Sequence, residues 1–138
     1  MIKNLILISV FFISISSNGY CGIFDWFEST ESKLKTVSEK MNKELPMEVD
    51  DLTILYGTYT FEKTFTYNYK IHPNTLSIIK MTKNEWRKYQ LEWLKNIYCT
   101  DPNSKIFRDN NVTLVYSYRY SNCIFFDEIS TNNSDCRN

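Results

Sequence analysis

From Thr64 to Ile71 the chain alternates without a fault: Phe65, Tyr67, Tyr69 and Ile71 fall on one side, and Thr64, Thr66, Asn68 and Lys70 on the other. A second stretch obeys the same rule, with Val112, Leu114, Tyr116, Tyr118 and Tyr120 set against Thr113, Val115, Ser117 and Arg119. Successive side chains of a strand point to opposite faces, so an apolar period of two predicts half-buried β-strands. Two such stretches commit the chain to a sheet with one covered face and one polar face, a division that antiparallel sheets tolerate.

Each stretch has a partner beside it. Leu52 to Phe61 is rich in Thr, Tyr, Ile and Leu and joins Thr64–Ile71 through the short turn Glu62-Lys63, which predicts a hairpin ended by His72-Pro73-Asn74. Ser121-Asn122-Cys123 turns the other stretch into Ile124–Ser130, a second hairpin. Between the hairpins, Thr82 and Glu85 have capping-box spacing. Trp86, Tyr89, Trp93 and Ile97 then mark one face of a helix over 82–99, widened by Leu91, Leu94 and Tyr98 and closed by Asp101-Pro102-Asn103-Ser104. A helical period also runs from Phe24 to Lys43 through Phe27, Leu34, Val37 and Met41, and Leu45-Pro46 stops it. The expected fold is α+β: a four-stranded antiparallel sheet in hairpin–helix–hairpin order, with one helix packed on a face and an N-terminal helix ahead of it. The five alternating tyrosines suit either a recognition surface or the core beneath the helix. Their sharing of faces with Phe65, Ile71, Val112 and Leu114 favours the core. Asn68, Lys70, Arg119 and the threonines then line the wet face.

The N-terminus predicts export. Lys3 precedes the apolar run Leu5–Ile15, which gives way to Ser16, Ser17, Asn18 and Gly19. That is the pattern of a signal peptide, and the run is shorter than the ~20 apolar residues a spanning helix needs. Small residues at Ser17 and Gly19 favour a cut after Gly19, with a cut after Cys21 as the competitor; Tyr20 argues against lipidation of Cys21. The expected division is a signal peptide over 1–19, an amphipathic helix within 20–44 and an α+β domain over 45–138. Without Lys3, 15 basic residues face 16 acidic ones, so no electrostatic footprint for nucleic acid exists, and membrane contact is expected only through the signal peptide before cleavage. In an oxidising compartment Cys21, Cys99, Cys123 and Cys136 are disulfide candidates. Four cysteines allow three pairings, and sequence does not choose among them. Placement leans toward Cys99–Cys136, which would pin the polar tail 131–135 to the end of the second helix.

Catalytic parts are sparse. The single histidine, His72, sits before a proline in a turn with no visible orienting partner, and histidine-pair zinc sites are excluded by the count. No CxxC motif is present, and Gly57 is the one glycine after the signal region and its exit, so phosphate loops have no foothold. Glu85 and Glu92 could share a helix face, but Glu85 has a capping role. Asp127 and Glu128, as strand neighbours, point to opposite faces, and Asp50-Asp51 is the remaining pair. No catalytic residue, metal ligand or cofactor is therefore assigned.

With these elements placed, a similarity emerges. Leu45-Pro46, then Asp50/Asp51 and Thr53, a hairpin, a helix ending in Cys99 with Asp101-Pro102, Tyr116–Tyr120, and a terminal Asp135-Cys136 resemble a loose group of small exported bacterial proteins of unknown function. The resemblance covers most of residues 45–136; Cys21 and Cys123 depart from it. It implies a Cys99–Cys136 bridge and a bacterial envelope address, and no activity. The element order is also similar to cystatin-like folds, with the helix at a different position.

The expected function is an exported, non-catalytic binding protein of the bacterial envelope, working as an inhibitor, an immunity protein or an assembly accessory on a protein partner. Trp26, Phe27 and Arg119 are the candidate anchors, because aromatic and arginine side chains carry interface energy. The alternative is a small carboxylate-dependent hydrolase acting on cell wall or glycan. Asn111-Val112-Thr113 and Asn132-Asn133-Ser134 match the glycosylation triplet, which recurs by chance in an asparagine-rich chain.

Overall fold

The computed structural model describes residues 28–137. Residues 1–19, expected to be a signal peptide, and Cys21, Trp26 and Phe27 lie outside the described residues. The fold is α+β. Helix α1 (Thr30–Lys43) leads through the cis Leu45–Pro46 peptide bond into strands β1 (Met47–Asp50), β2 (Thr53–Phe61) and β3 (Thr64–Ile71). Helices α2 (Thr75–Ile79), α3 (Lys83–Thr100) and α4 (Lys105–Asp109) follow, then β4 (Thr113–Tyr120) and β5 (Phe125–Thr131).

The sheet corrects the expectation of four antiparallel strands. It has five strands in the order β1-β2-β3-β4-β5. The two hairpins are antiparallel as their alternation requires, but β3 and β4, the strands that join them, pair in parallel, from Thr64↔Thr113 to Ile71↔Tyr120. The reason lies in the crossover. Eighteen residues of α3 rise about 27 Å, and eight residues of β3 about 26 Å, so the helix can return the chain to the end at which β3 began. Entering beside the start of β3, β4 then runs with it. The additional strand, β1, pairs with only the first residues of β2, Thr53–Leu55.

Among the described residues the first helix begins at Thr30; the part of the expected helix before residue 28 lies outside them. Ser29 is extended, with φ −65° and ψ 154°, and its side chain accepts a hydrogen bond from the Ser32 N–H at 3.1 Å. That N-cap starts the helix at Thr30. Leu34, Ser38 and Met41 are buried as α1 docks on β2.

One face of the sheet forms the core. Phe65, Tyr67, Tyr69 and Ile71 lie level with Leu114, Tyr116, Tyr118 and Tyr120, and the parallel register stacks them in pairs. Tyr67 and Tyr116 have ring centroids 5.4 Å apart, and Tyr69 and Tyr118 5.1 Å. Such pairs contribute about 0.5–1.5 kcal/mol each beyond the area they bury. Trp86 of α3 sets its ring edge-on to both Tyr118 and Phe126. Burial pushes the hydroxyl pKa of Tyr67, Tyr69, Tyr116 and Tyr118 well above the ordinary tyrosine value, so these side chains stay neutral in any physiological medium.

Candidate functional site

The opposite face of the sheet has no helix packed on it among the described residues. Register places Ile54, Lys70, Arg119 and Phe125 in one row across it, Tyr59, Thr66, Val115 and Ser130 in another, and Phe61, Thr64 and Thr113 at one end. Tyr59 is 53% exposed, Phe61 69% and Phe125 52%. Thr66 and Ser117, in the middle strands, are buried between taller neighbours, so this face is drier at its centre than its polar sequence implies. Its cations lie against rings: Lys70 Nζ is 4.8 Å from the Tyr56 centroid, and the Arg119 guanidinium 5.9 Å from that of Phe125. Arg119 also donates to the Cys123 carbonyl at 3.3 Å, which draws the β4–β5 turn toward this face.

The sheet edges are closed by side chains. On β5, Lys83 Nζ donates to the Phe126 carbonyl at 2.6 Å and Arg87 to the Glu128 carbonyl at 3.1 Å. On β2, beyond the reach of β1, Asn42 accepts from the Thr58 N–H at 2.8 Å and donates to the Thr58 carbonyl at 2.9 Å. Asn42 thus replaces one residue of a missing strand, and Ser38 adds a hydroxyl contact to Thr58 at 2.8 Å. Unpaired edge groups are a template for another chain, and Lys83, Arg87 and Asn42 blunt it.

Arg119 is half-buried on the open face, whereas Trp26 and Phe27 lie outside the described residues. Cys99 and Cys136 are joined, with Cα atoms 5.4 Å apart, which ties the C-terminal 3-10 turn Asn133–Cys136 to α3; a Lys95–Asp135 ion pair at 3.1 Å lies beside it. Cys123 is an exposed free thiol in the β4–β5 turn, with φ 68°.

The carboxylates weighed for hydrolysis stand apart. Glu85 completes the capping box of α3, accepting from the Thr82 N–H and hydroxyl at 2.8 Å each, and those bonds hold its carboxyl below the ordinary 4.5. Glu92 is exposed. Asp50 accepts from the Leu52 N–H, and Asp51 is exposed. Asp127 is buried on the core face against Arg87, whereas Glu128 is exposed on the other. His72 accepts from the Asn74 N–H through Nδ1, a local turn contact. No group of three or more potential metal ligands occurs among the described residues, and no described helix is long and apolar enough to cross a membrane.

Sequence reasoning missed Tyr59 and Phe61 as exposed aromatics and Asn42 as an edge clamp. The first two carried a signal, since both share strand parity with Gly57 and oppose Thr66 and Thr64. Asn42 carried none, because its role depends on where α1 docks.

Solved structures share this fold. One is a Pseudomonas aeruginosa protein described as secreted, 13% identical, with TM-score 0.61 over 80% of this chain and 99% of that one. Another is the pilotin EpsS of the Vibrio vulnificus type 2 secretion system, 11% identical, TM-score 0.60, covering 78% of this chain and 92% of its own. A third is the type II secretion system pilotin AspS of Vibrio cholerae, 11% identical, TM-score 0.58, covering 77% and 91%. At these identities the likeness concerns the fold. No family model and no curated protein matches the sequence.

Proposed function

We propose that this chain is an exported, non-catalytic protein of the bacterial envelope that acts by binding another protein, as an accessory to the assembly of an envelope or secretion machine. The observation that carries this reading is the sheet face that no described helix covers, where Arg119 lies against the exposed Phe125 and Tyr59 and Phe61 are exposed toward the other end. Rigid aromatic area with an arginine at hand suits protein recognition. Two further facts support it: the fold is shared with two secretion pilotins and a protein described as secreted, and a Cys99–Cys136 disulfide suits an oxidising compartment. The anchors are Arg119 on the face and Trp26 and Phe27 in the segment leading into α1.

The test is complementation in cells that depend on the protein. Alanine at Trp26, Phe27 or Arg119 is expected to impair the phenotype while circular dichroism and export remain as in the parent. Alanine at Glu92 or Asp51 is expected to leave it intact. If Glu92 or Asp51 proves indispensable in a folded chain while the three anchors are dispensable, the hydrolase reading replaces this one.

A further inference from the structure

Lys70 and Arg119 are partners in the parallel register of β3 and β4, so two cations stand side by side on the open face, their strands about 4.8 Å apart. Like charges on paired residues of neighbouring strands are destabilising. Neither makes an ion pair with a described residue: Lys70 lies against the Tyr56 ring and Arg119 against that of Phe125, with one bond from Arg119 to the Cys123 carbonyl. We infer that this cation pair receives a carboxylate of the partner protein, carried at one end of a helix that lies along the open face with its apolar side toward Tyr59 and Phe61. The inference rests on the binding reading above and deepens it by naming the partner's chemistry.

Tyr59 is level with Thr66 and Phe61 with Thr64, four and six residues back along β3 from Lys70. At the rise of a strand those separations are about 13 and about 20 Å. The face is thus polarised along its length, cationic at one end and aromatic at the other. Between the ends it is low. Gly57 pairs with Asn68, which pairs with the buried Ser117, and a Cβ added at Gly57 would meet nothing within 4 Å. A helix of about 13 residues has the length of this trough. The occupant is a helix because a sheet face offers side chains and no free backbone groups, so whatever lies on it must satisfy its own backbone. Strand addition would need an edge, and Lys83, Arg87 and Asn42 occupy those edges.

The placement of charge selects the kind of anion. The carboxylates that register puts on this face, Glu48 and Glu128, are exposed on the outer strands β1 and β5, to either side of the cations. A flat polyanion such as a membrane surface would meet Glu48 and Glu128 together with Lys70 and Arg119, and repulsion would offset attraction. A single carboxylate seated between Lys70 and Arg119 meets both cations and stays inside that acidic rim. There it accepts charge-assisted hydrogen bonds, which are the strong ones. The rings of Tyr59 and Phe61 at the far end give the apolar side of the helix its contact area.

The test is NMR titration of the purified exported chain with three alanine-based helical peptides of about 18 residues, long enough to hold a helix, which share one leucine stripe and carry Glu, Gln or Lys in the first turn. The Glu peptide is expected to bind about tenfold more tightly than the Gln peptide, moving the amides of Gly57, Lys70, Ser117 and Arg119, and the Lys peptide not to bind. Lys70→Gln/Arg119→Gln should lower the Glu peptide to the affinity of the Gln peptide. Gly57→Leu, which fills the trough at a position without positive φ, should block both, with the amide dispersion of a folded sheet retained in each variant. Equal affinity of the parent for the Glu and Gln peptides overturns the inference, as does no binding of any peptide or binding that survives Gly57→Leu. Retention of the chain by phosphatidylglycerol vesicles through the same two cations assigns them to a membrane surface and overturns it as well. The binding reading is judged separately by complementation: Arg119→Ala that impairs the phenotype, while the parent does not discriminate the peptides, removes this inference and leaves that reading.

Discussion

The two faces of this sheet come from the same strands and differ in almost everything that matters for stability and function. On one, Phe65, Tyr67, Tyr116 and Tyr118 are at most 4% exposed under two helices; on the other, Tyr59, Phe61 and Phe125 are more than half exposed. Tyrosine therefore has no fixed role here: stacked in register under α3 it is core, and at the end of β2 it is surface. Burial follows from which face the helices cover. Substitutions on the covered face should act on folding, and substitutions on the open face should act on binding.

The largest effect should come from breaking the covered face. Phe65→Ala removes a fully buried ring packed against Tyr67 and Phe107, and is expected to cost about 3–5 kcal/mol in urea denaturation. Next is the staple. Cys99→Ser opens a 37-residue separation and should cost about 3–4 kcal/mol in the chain-entropy model, with reductant lowering the parent's midpoint and leaving the variant's unmoved. On the helix that covers the face, Thr82→Ala removes the cap of α3 and should cost about 0.5–2 kcal/mol. Tyr59→Ser, on the open face, should stay within about 0.5 kcal/mol of the parent, and a larger loss would show that face to be structural.

Glu85 adds a pH signature to the capped helix. Its folded pKa is depressed, so its contribution is complete above the ordinary carboxylate value of 4.5 and is lost as the pH falls through the lower folded value. Acid titration of the parent should show an additional loss of stability below pH 4.5 that Glu85→Gln removes.

The alternation of residues 64–71 and 112–120 made both faces legible, because period two is a local property that survives any pairing. The capping box at Thr82 and Glu85 was legible for the same reason. The parallel pairing of β3 and β4 was not, since nothing within either strand encodes the direction of its neighbour; that direction is set by the length of the α3 crossover. Strand β1 was missed because Met47-Glu48-Val49-Asp50 is four residues long, half of them charged, and makes sense only as an edge beside Thr53–Leu55. The cap that starts α1 at Thr30 was not read from the sequence, because its signal is the single side chain of Ser29. The bare end of the open face emerged only once the helices were seen to gather on the other side.

The division of labour between the faces is tested most directly by scanning alanine through Ile54, Tyr59, Phe61, Lys70, Arg119 and Phe125 and reading export, melting temperature and complementation together. The account predicts lost complementation, greatest at Arg119, in chains that are exported and melt as the parent does. Full complementation by every open-face variant, with loss confined to variants that also melt early, would contradict it.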